Sequence, residues 1–172
     1  MNNYSSLCVP IPEPHASRIV DYAKGLISDD DLRKLEFHPH VTIRYGIDTN
    51  KAENVVKALG SFIPVRVMFG KTSAFMTDND QECDILKIDV FGASLERLRK
   101  KVEDNLETIP HPWKAYNPHL TLAYIDMGSS LMYMGNNPVI GEKIVVDKLL
   151  FIPAFGGKKK YITTEGKVED YA

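Results

Sequence analysis

Two short stretches of this chain are nearly the same. Residues 39–45 read Pro-His-Val-Thr-Ile-Arg-Tyr, and residues 118–124 read Pro-His-Leu-Thr-Leu-Ala-Tyr. Each has the aliphatic alternation of a strand and places a His and a Thr two residues apart. Period-2 geometry therefore puts His40 with Thr42, and His119 with Thr121, on one face of its strand. Val41, Ile43 and Tyr45 take the other face, as do Leu120, Leu122 and Tyr124. An apolar face suited to a core, backed by a free His/Thr face, is the layout of an active site. The motifs lie 79 residues apart (40 to 119), near half of the 172-residue chain. A duplicated module with one His-x-Thr per half is the natural organisation, and it would set the two His/Thr faces about a shared groove.

The remaining pattern predicts a mixed α+β domain. Strands are expected at 4–10, His40–Ile47, 64–69, 84–91, His119–Ile125, 143–153 and 160–164. A helix over 14–27 follows from the spacing of Ile19, Tyr22, Ala23 and Leu26. Another over 51–61, capped by Asn50, turns Val55, Val56 and Leu59 inward. A third runs from a Ser94 cap to about Leu106, with Leu95, Leu98 and Val102 on one face. Residues 29–36 suggest a short helical turn. Thr72, Ser73 and Phe75 fall in a loop or hairpin, 108–118 in an extended loop, and the tail from Glu165 is expected to fray. No strand is followed by a Gly-rich phosphate loop, so antiparallel sheets fit better than a doubly wound one. A length of 172 residues suits one domain over 1–172.

A net charge of −2 argues against a broad basic surface for duplex nucleic acid, while leaving room for a local patch that binds one phosphate. No apolar run is long enough to span a bilayer, and Met-Asn-Asn-Tyr-Ser-Ser lacks the regions of a secretion signal. A cytoplasmic protein with Cys8 and Cys83 as buried free thiols is expected.

A His side chain titrates near neutral pH, so two of them serve one reaction as base and acid. A phosphodiester needs both: one imidazole takes a proton from an attacking hydroxyl or water, and the other protonates the leaving oxygen. Thr42 and Thr121 are placed to hydrogen-bond the non-bridging oxygens, where transition-state charge collects. The scheme calls for no cofactor and no metal. A metal site is the competing reading: His38 and His40 form His-x-His, and His111 and His119 with an acidic residue would complete it. Metal ligation accounts for neither the threonines nor the repeat. His15, His38 and His111 otherwise read as surface residues.

The paired His40-Val41-Thr42 and His119-Leu120-Thr121 motifs, with the duplicated layout, resemble the 2H phosphoesterase superfamily. That group includes 2′-5′ RNA ligase-like proteins, cyclic phosphodiesterases and phage nucleases that destroy cyclic-oligonucleotide alarm signals. The resemblance implies a bilobal, pseudo-two-fold α+β fold, antiparallel sheets around a central cleft with helices outside, and metal-independent phosphodiester chemistry on the four motif residues. The stretches from His40 to Thr49 and from Asn117 to Tyr124 look most similar to the phage nucleases that counter CBASS, a bacterial defence that signals with cyclic oligonucleotides. An RNA-processing 2′,3′-cyclic or 2′-5′ phosphodiesterase is the alternative, and a non-catalytic nucleotide-binding module is a second. A small nucleotide or cyclic oligonucleotide is the partner expected, with no duplex nucleic acid and no membrane.

Aromatic stacking holds bases, at about 1–3 kcal/mol each. Tyr4, Phe75, Trp113 and Tyr116 are the candidates, with Trp113 equally suited to plugging the gap between halves. Lys158–Lys160 follow two glycines and would reach a phosphate if folded toward the cleft. Arg44 shares the parity of His40 and Thr42, and so is a one-sided cleft candidate.

Overall fold

The computed structural model describes residues 4–76, 82–110 and 115–172. Its elements run β1 (Ser5–Pro10), α1 (His15–Leu26), β2 (Leu32–Leu35), β3 (His40–Ile47), α2 (Ala52–Leu59), β4 (Val65–Phe75), β5 (Cys83–Phe91), α3 (Ala93–Asn105), β6 (His119–Asp126), β7 (Lys143–Val146), β8 (Lys148–Ile152), β9 (Lys160–Thr163) and β10 (Val168–Asp170). The strands form one sheet in the order β10-β9-β8-β1-β3-β6-β5-β4-β7, every pairing antiparallel, with β2 joined to β6 off that path. It curls into a half-barrel backed by the three helices.

The two motif strands are neighbours at the centre of the sheet. The units that deliver them match: β1–α1–β3 brings in the first and β5–α3–β6 the second. The helices cross over, α1 packing against β6 and α3 against β3. Their predicted faces are the buried ones: Ile19 and Ala23 on α1, Val55 and Leu59 on α2, and Leu95, Leu98 and Val102 on α3. With Val41, Ile43, Leu120 and Leu122 they form one core between helices and sheet. The opposite face of β3 and β6 carries the His/Thr pairs.

A bulge interrupts both motif strands at the same place. Cys8 faces Thr42 but Leu7 faces Arg44, so Ile43 is an extra residue in β3. Lys87 faces Thr121 but Leu86 faces Ala123, so Leu122 is the extra residue in β6. Each bulge falls three residues after its His. It reverses the alternation, so Arg44 and Ala123 join the buried side while Tyr45 and Tyr124 turn to the open one. Strict alternation had placed both tyrosines in the core and Arg44 in the cleft. Arg44 is instead buried against α3, with its Nε 2.9 Å from Glu103 Oε1, as an ion pair and not an aligned hydrogen bond. It donates to the carbonyls of Tyr45 and Ile109. The strand then reaches Gly46, at φ +86°, where a Cβ would collide with Ile109 Cγ1. That contact pins the segment leading toward the second motif to the end of the first.

Four local expectations give way to long-range pairing. Residues 29–36 hold a single turn, with the Asp31 and Leu32 amides donating to the Ser28 carbonyl, and then become strand: β3 and β6 share only the pair Val41–Leu120, and β2 fills the space beyond by pairing with β6 from Leu32 to Leu35. Thr72, Ser73 and Phe75 lie within β4, which extends through them along β5. The tail does not fray throughout, since Val168–Asp170 pair with β9. Neither predicted cap acts as one. Asn50 Oδ1 accepts from Ser5 Oγ and the Ala154 amide, and Ser94 lies inside α3 with its hydroxyl toward the Arg66 carbonyl. Cys8 is a buried thiol, whereas Cys83 is only half-buried. No helix of the described residues is long and apolar enough to cross a membrane.

Candidate active site

With Val41 facing Leu120 in antiparallel register, His40 stands opposite Thr121 and Thr42 opposite His119. The four side chains form a quadrilateral on the open face, the histidines on one diagonal. Diagonal neighbours on such a pair are about 7–8 Å apart, enough for a phosphoryl group between the ring tips.

The same device holds each imidazole. His40 Nδ1 lies 2.8 Å from the His38 carbonyl, and His119 Nδ1 lies 2.7 Å from the Asn117 carbonyl. A carbonyl only accepts, so Nδ1 carries the proton in both rings, and Nε2 is the atom left to exchange protons in the cleft. The intervening Pro39 and Pro118 have a fixed φ and bias the residue before them to extended backbone. Their own carbonyls accept from Ile11 and Val90, each at 3.1 Å, tying each motif to the strand beside it. The Pro of the repeated Pro-His-x-Thr is thus part of how the histidine is aimed.

The surroundings of the two histidines differ. Beside β3, Cys8 faces Thr42 and Pro10 faces His40. The Cys8 thiol, pushed up to about 11 by burial, stays neutral, and it lies 3.8 Å from Thr42 Oγ1. Beside β6, Lys87 faces Thr121 and Asp89 faces His119. Lys87 is buried, with Nζ 2.5 Å from Asp89 Oδ1 and 2.6 Å from Ser73 Oγ, while Ser73 donates to Asp89 at 2.7 Å. Burial pulls the Asp89 carboxyl up, but the Lys87 and Ser73 hydrogen bonds and the Lys87 charge overcome it, and the group sits below its usual range. Burial lowers the His119 imidazole, helped by the charges of Lys87 and His40; the Asn117 carbonyl and Asp89 oppose this without reversing it.

Of the aromatic candidates, Phe75 comes to the site. Its ring meets His119 edge to face, centroids 4.8 Å apart, and Lys87 Nζ lies 4.6 Å from its centroid. Tyr4 lies edge-on to Tyr45, 6.3 Å between centroids. Tyr116 packs against the core, with Arg99 over its ring at 4.7 Å, and donates from its hydroxyl to the Thr42 carbonyl at 2.8 Å. It therefore braces the first motif from the helix side, where Arg99 of α3 covers the face a base would need. Trp113 and His111 lie outside the described residues.

Lys158 and Lys160 are not brought to the histidines. They line a cavity of about 350 Å³ with Asn50 and Phe155, whereas Lys159 between them acts by its charge on the Cys8 thiol beside Thr42. His38 is exposed, and His15 pairs with Glu142 at 3.0 Å. Among the described residues, no three His, Cys, Asp or Glu side chains are grouped to hold a metal ion. Sequence reasoning missed Lys87, Asp89 and Ser73. The signal was there in Leu86-Lys87-Ile88-Asp89-Val90, two opposite charges on one face of the strand set between aliphatic residues.

An antiparallel α+β half-barrel carrying paired His-x-Thr strands at its centre has the 2H phosphoesterase fold. Solved structures show the same architecture. TT0787 of Thermus thermophilus superposes with a TM-score of 0.63 at 16% identity, covering 97% of each chain. E. coli LigT complexed with NADP+ gives 0.63 at 12%, covering 94% of each. Usb1 of Kluyveromyces marxianus gives 0.61 at 11%, covering 94% of this chain and 98% of its own. At these identities the likeness is one of fold. No family model and no curated protein sequence matches the chain.

Proposed function

We propose that this protein is a metal-independent phosphodiesterase acting on a small nucleotide through His40 and His119 as proton-transfer groups and Thr42 and Thr121 as phosphate ligands. The observation that carries this reading is the matched anchoring of the two imidazoles, each with Nδ1 on the carbonyl two residues back and Nε2 free. A binding module has no need of two such rings beside two hydroxyls. E. coli LigT is known in complex with 3′-AMP and with phosphate, and K. marxianus Usb1 with uridine monophosphate. A small nucleotide is accordingly the substrate class. The chain is one domain of two pseudo-symmetric lobes meeting between β3 and β6, and it works in the cytoplasm.

The substrate proposed is a 3′-5′-linked cyclic oligonucleotide of the kind used as a defence signal. The ribose 2′-oxygen attacks the adjacent phosphorus as its proton passes to one Nε2. The bond from phosphorus to the 5′-oxygen breaks, and that oxygen takes a proton from the other Nε2. The 2′,3′-cyclic phosphate so formed is open to hydrolysis with the roles reversed. Thr42 and Thr121 bind the non-bridging oxygens throughout. Phe75 offers an aromatic wall for a neighbouring base. The nucleotide complexes of LigT and Usb1 favour a second reading, cleavage of an RNA 2′,3′-cyclic or 2′-5′ phosphodiester.

The test is a substrate panel in excess EDTA: cyclic dinucleotides and trinucleotides, 2′,3′-cyclic mononucleotides and 2′-5′ dinucleotides, with a 2′-deoxy cyclic dinucleotide as control. Cleavage of the ribo cyclic compound and not of its deoxy analogue is expected. Equal cleavage of the deoxy compound makes water the nucleophile. Cleavage only of 2′,3′-cyclic or 2′-5′ substrates installs the second reading. Activity lost in chelator and restored by a divalent ion replaces the two-histidine scheme with a metal one.

A further inference from the structure

The two motifs are copies in sequence, register, bulge and anchoring, yet an ion pair faces only one, while the other has a neutral thiol on which the charges of Lys159 and Glu36 act. Where β1 sets Cys8 and Pro10 against Thr42 and His40, β5 sets Lys87 and Asp89 against Thr121 and His119. One strand further out, Leu150 faces Cys8, whereas Ser73 faces Lys87. The Lys87 ammonium is held by Asp89, Ser73 and the face of Phe75, and Phe75 in turn meets the His119 ring. A buried cation fixed in this way cannot leave to follow a ligand. Its position is therefore a standing field on the His119 side.

We infer that the Lys87–Asp89 pair, seated on Ser73 and Phe75, assigns the roles of the two histidines, making His119 the base that takes the attacking hydroxyl's proton and leaving His40 as the acid for the departing oxygen. The inference rests on the two-histidine reading above and deepens it. Lys87 and Phe75 both disfavour an imidazolium at His119, one by charge and the other by excluding water. The charged and titratable groups acting on that ring are Lys87 and Asp89 from β5 and His40 from β3, with Phe75 the contact from β4. A ring kept neutral, its Nδ1–H on the Asn117 carbonyl, presents an Nε2 lone pair to a hydroxyl. Asp89 keeps Lys87 in place and limits how far its field acts, so the two members of the pair push the His119 ring in opposite directions. Both are positioning residues. Neither need touch substrate.

The experiment follows the imidazole NMR signals of His40 and His119 through a pH titration of the free protein, in the wild type and in Lys87→Gln, Lys87→Arg and Asp89→Asn. It is paired with kcat/KM pH profiles on the substrate the panel identifies. The His119 titration is expected to match the acid limb of the wild-type profile, which reports the free enzyme's base. Lys87→Gln should move that titration and limb up, lowering kcat/KM on the acid limb by about three- to tenfold. Asp89→Asn should move both down, and Lys87→Arg should stay near wild type. A purely structural pair would instead shift both variants the same way or not at all. Either result overturns the inference, as does an acid limb that follows His40. If Lys87→Gln fails to fold, Asp89→Asn and Lys87→Arg still decide by direction. Should His40→Ala and His119→Ala both keep full activity, the underlying two-histidine reading falls instead, whatever the titrations show.

Discussion

The half of the site built on β3 and the half built on β6 share a backbone and differ in their flanks. Both have a proline-aimed imidazole, a threonine two residues on, and a bulge after it. The first half is bordered by a neutral thiol and a proline; the second is bordered by the ion pair of buried Lys87 with half-exposed Asp89 and by an aromatic ring. Duplication supplies two groups with the same reach toward one point. It cannot by itself supply two groups with different protonation, because identical surroundings give identical titration. On the proposed two-histidine reading, a difference between base and acid has to come from the strands outside the repeat, β1 on one side and β5 on the other.

The largest effects should come from removing what the halves share. His40→Ala and His119→Ala are each expected to cut turnover by about 10²–10⁴, the usual worth of an acid/base group. The double variant should be little worse than either single one, because both serve one proton cycle. Multiplicative losses in steady-state assays would mean the halves work separately. Thr42→Ala and Thr121→Ala should each cost about 10–10², the equivalent of one neutral hydrogen bond to phosphate. A loss confined to one threonine would show that phosphate sits in one half and not between the two.

A smaller effect probes a brace present in the first half. Tyr116→Phe leaves the Thr42 carbonyl without its 2.8 Å hydroxyl partner. Denaturant unfolding should register a loss of about 1 kcal/mol, with turnover reduced less than by Thr42→Ala. The smallest effect is the pH dependence of stability, and it belongs to the second half. Asp89 is held below its ordinary value of 3.8, so its contribution is complete above that pH and is lost as pH falls through the folded-state value. His119 is held below 6.5, so the unfolded chain takes up that proton first and stability drops as pH falls through 6.5. Both effects act in the acid direction. His119→Gln should therefore flatten the loss between about pH 7 and 5, and Asp89→Asn the loss at lower pH, in urea titrations. An unchanged slope in both variants would show that the charged flank adds nothing to stability.

Much of this was legible in the chain. Pro-His-x-Thr read twice identified the motif strands, because period-2 alternation and the proline restriction are local rules that act within a few residues. The amphipathic helices were legible for the same reason. The bulges were not, since an extra residue in β3 or β6 exists only relative to the partner strand, and so Tyr45, Tyr124 and Arg44 were assigned to the wrong faces. β2 and β10, and the extension of β4 through Phe75, escaped for the same cause: each is held by a partner strand that no local window reveals.

What the sequence by itself determined is the duplicated pair of His/Thr faces and the chemistry such faces suit, because both are written in contiguous residues. Only the tertiary structure decided that the strands adjoin with Val41 against Leu120, and that Lys87, Asp89, Ser73 and Phe75 gather on the His119 side while Cys8 and Pro10 border the other. The physical reason is that strand pairing is a long-range choice. It is made by hydrogen bonds and burial summed over the whole sheet, and no window of residues contains it.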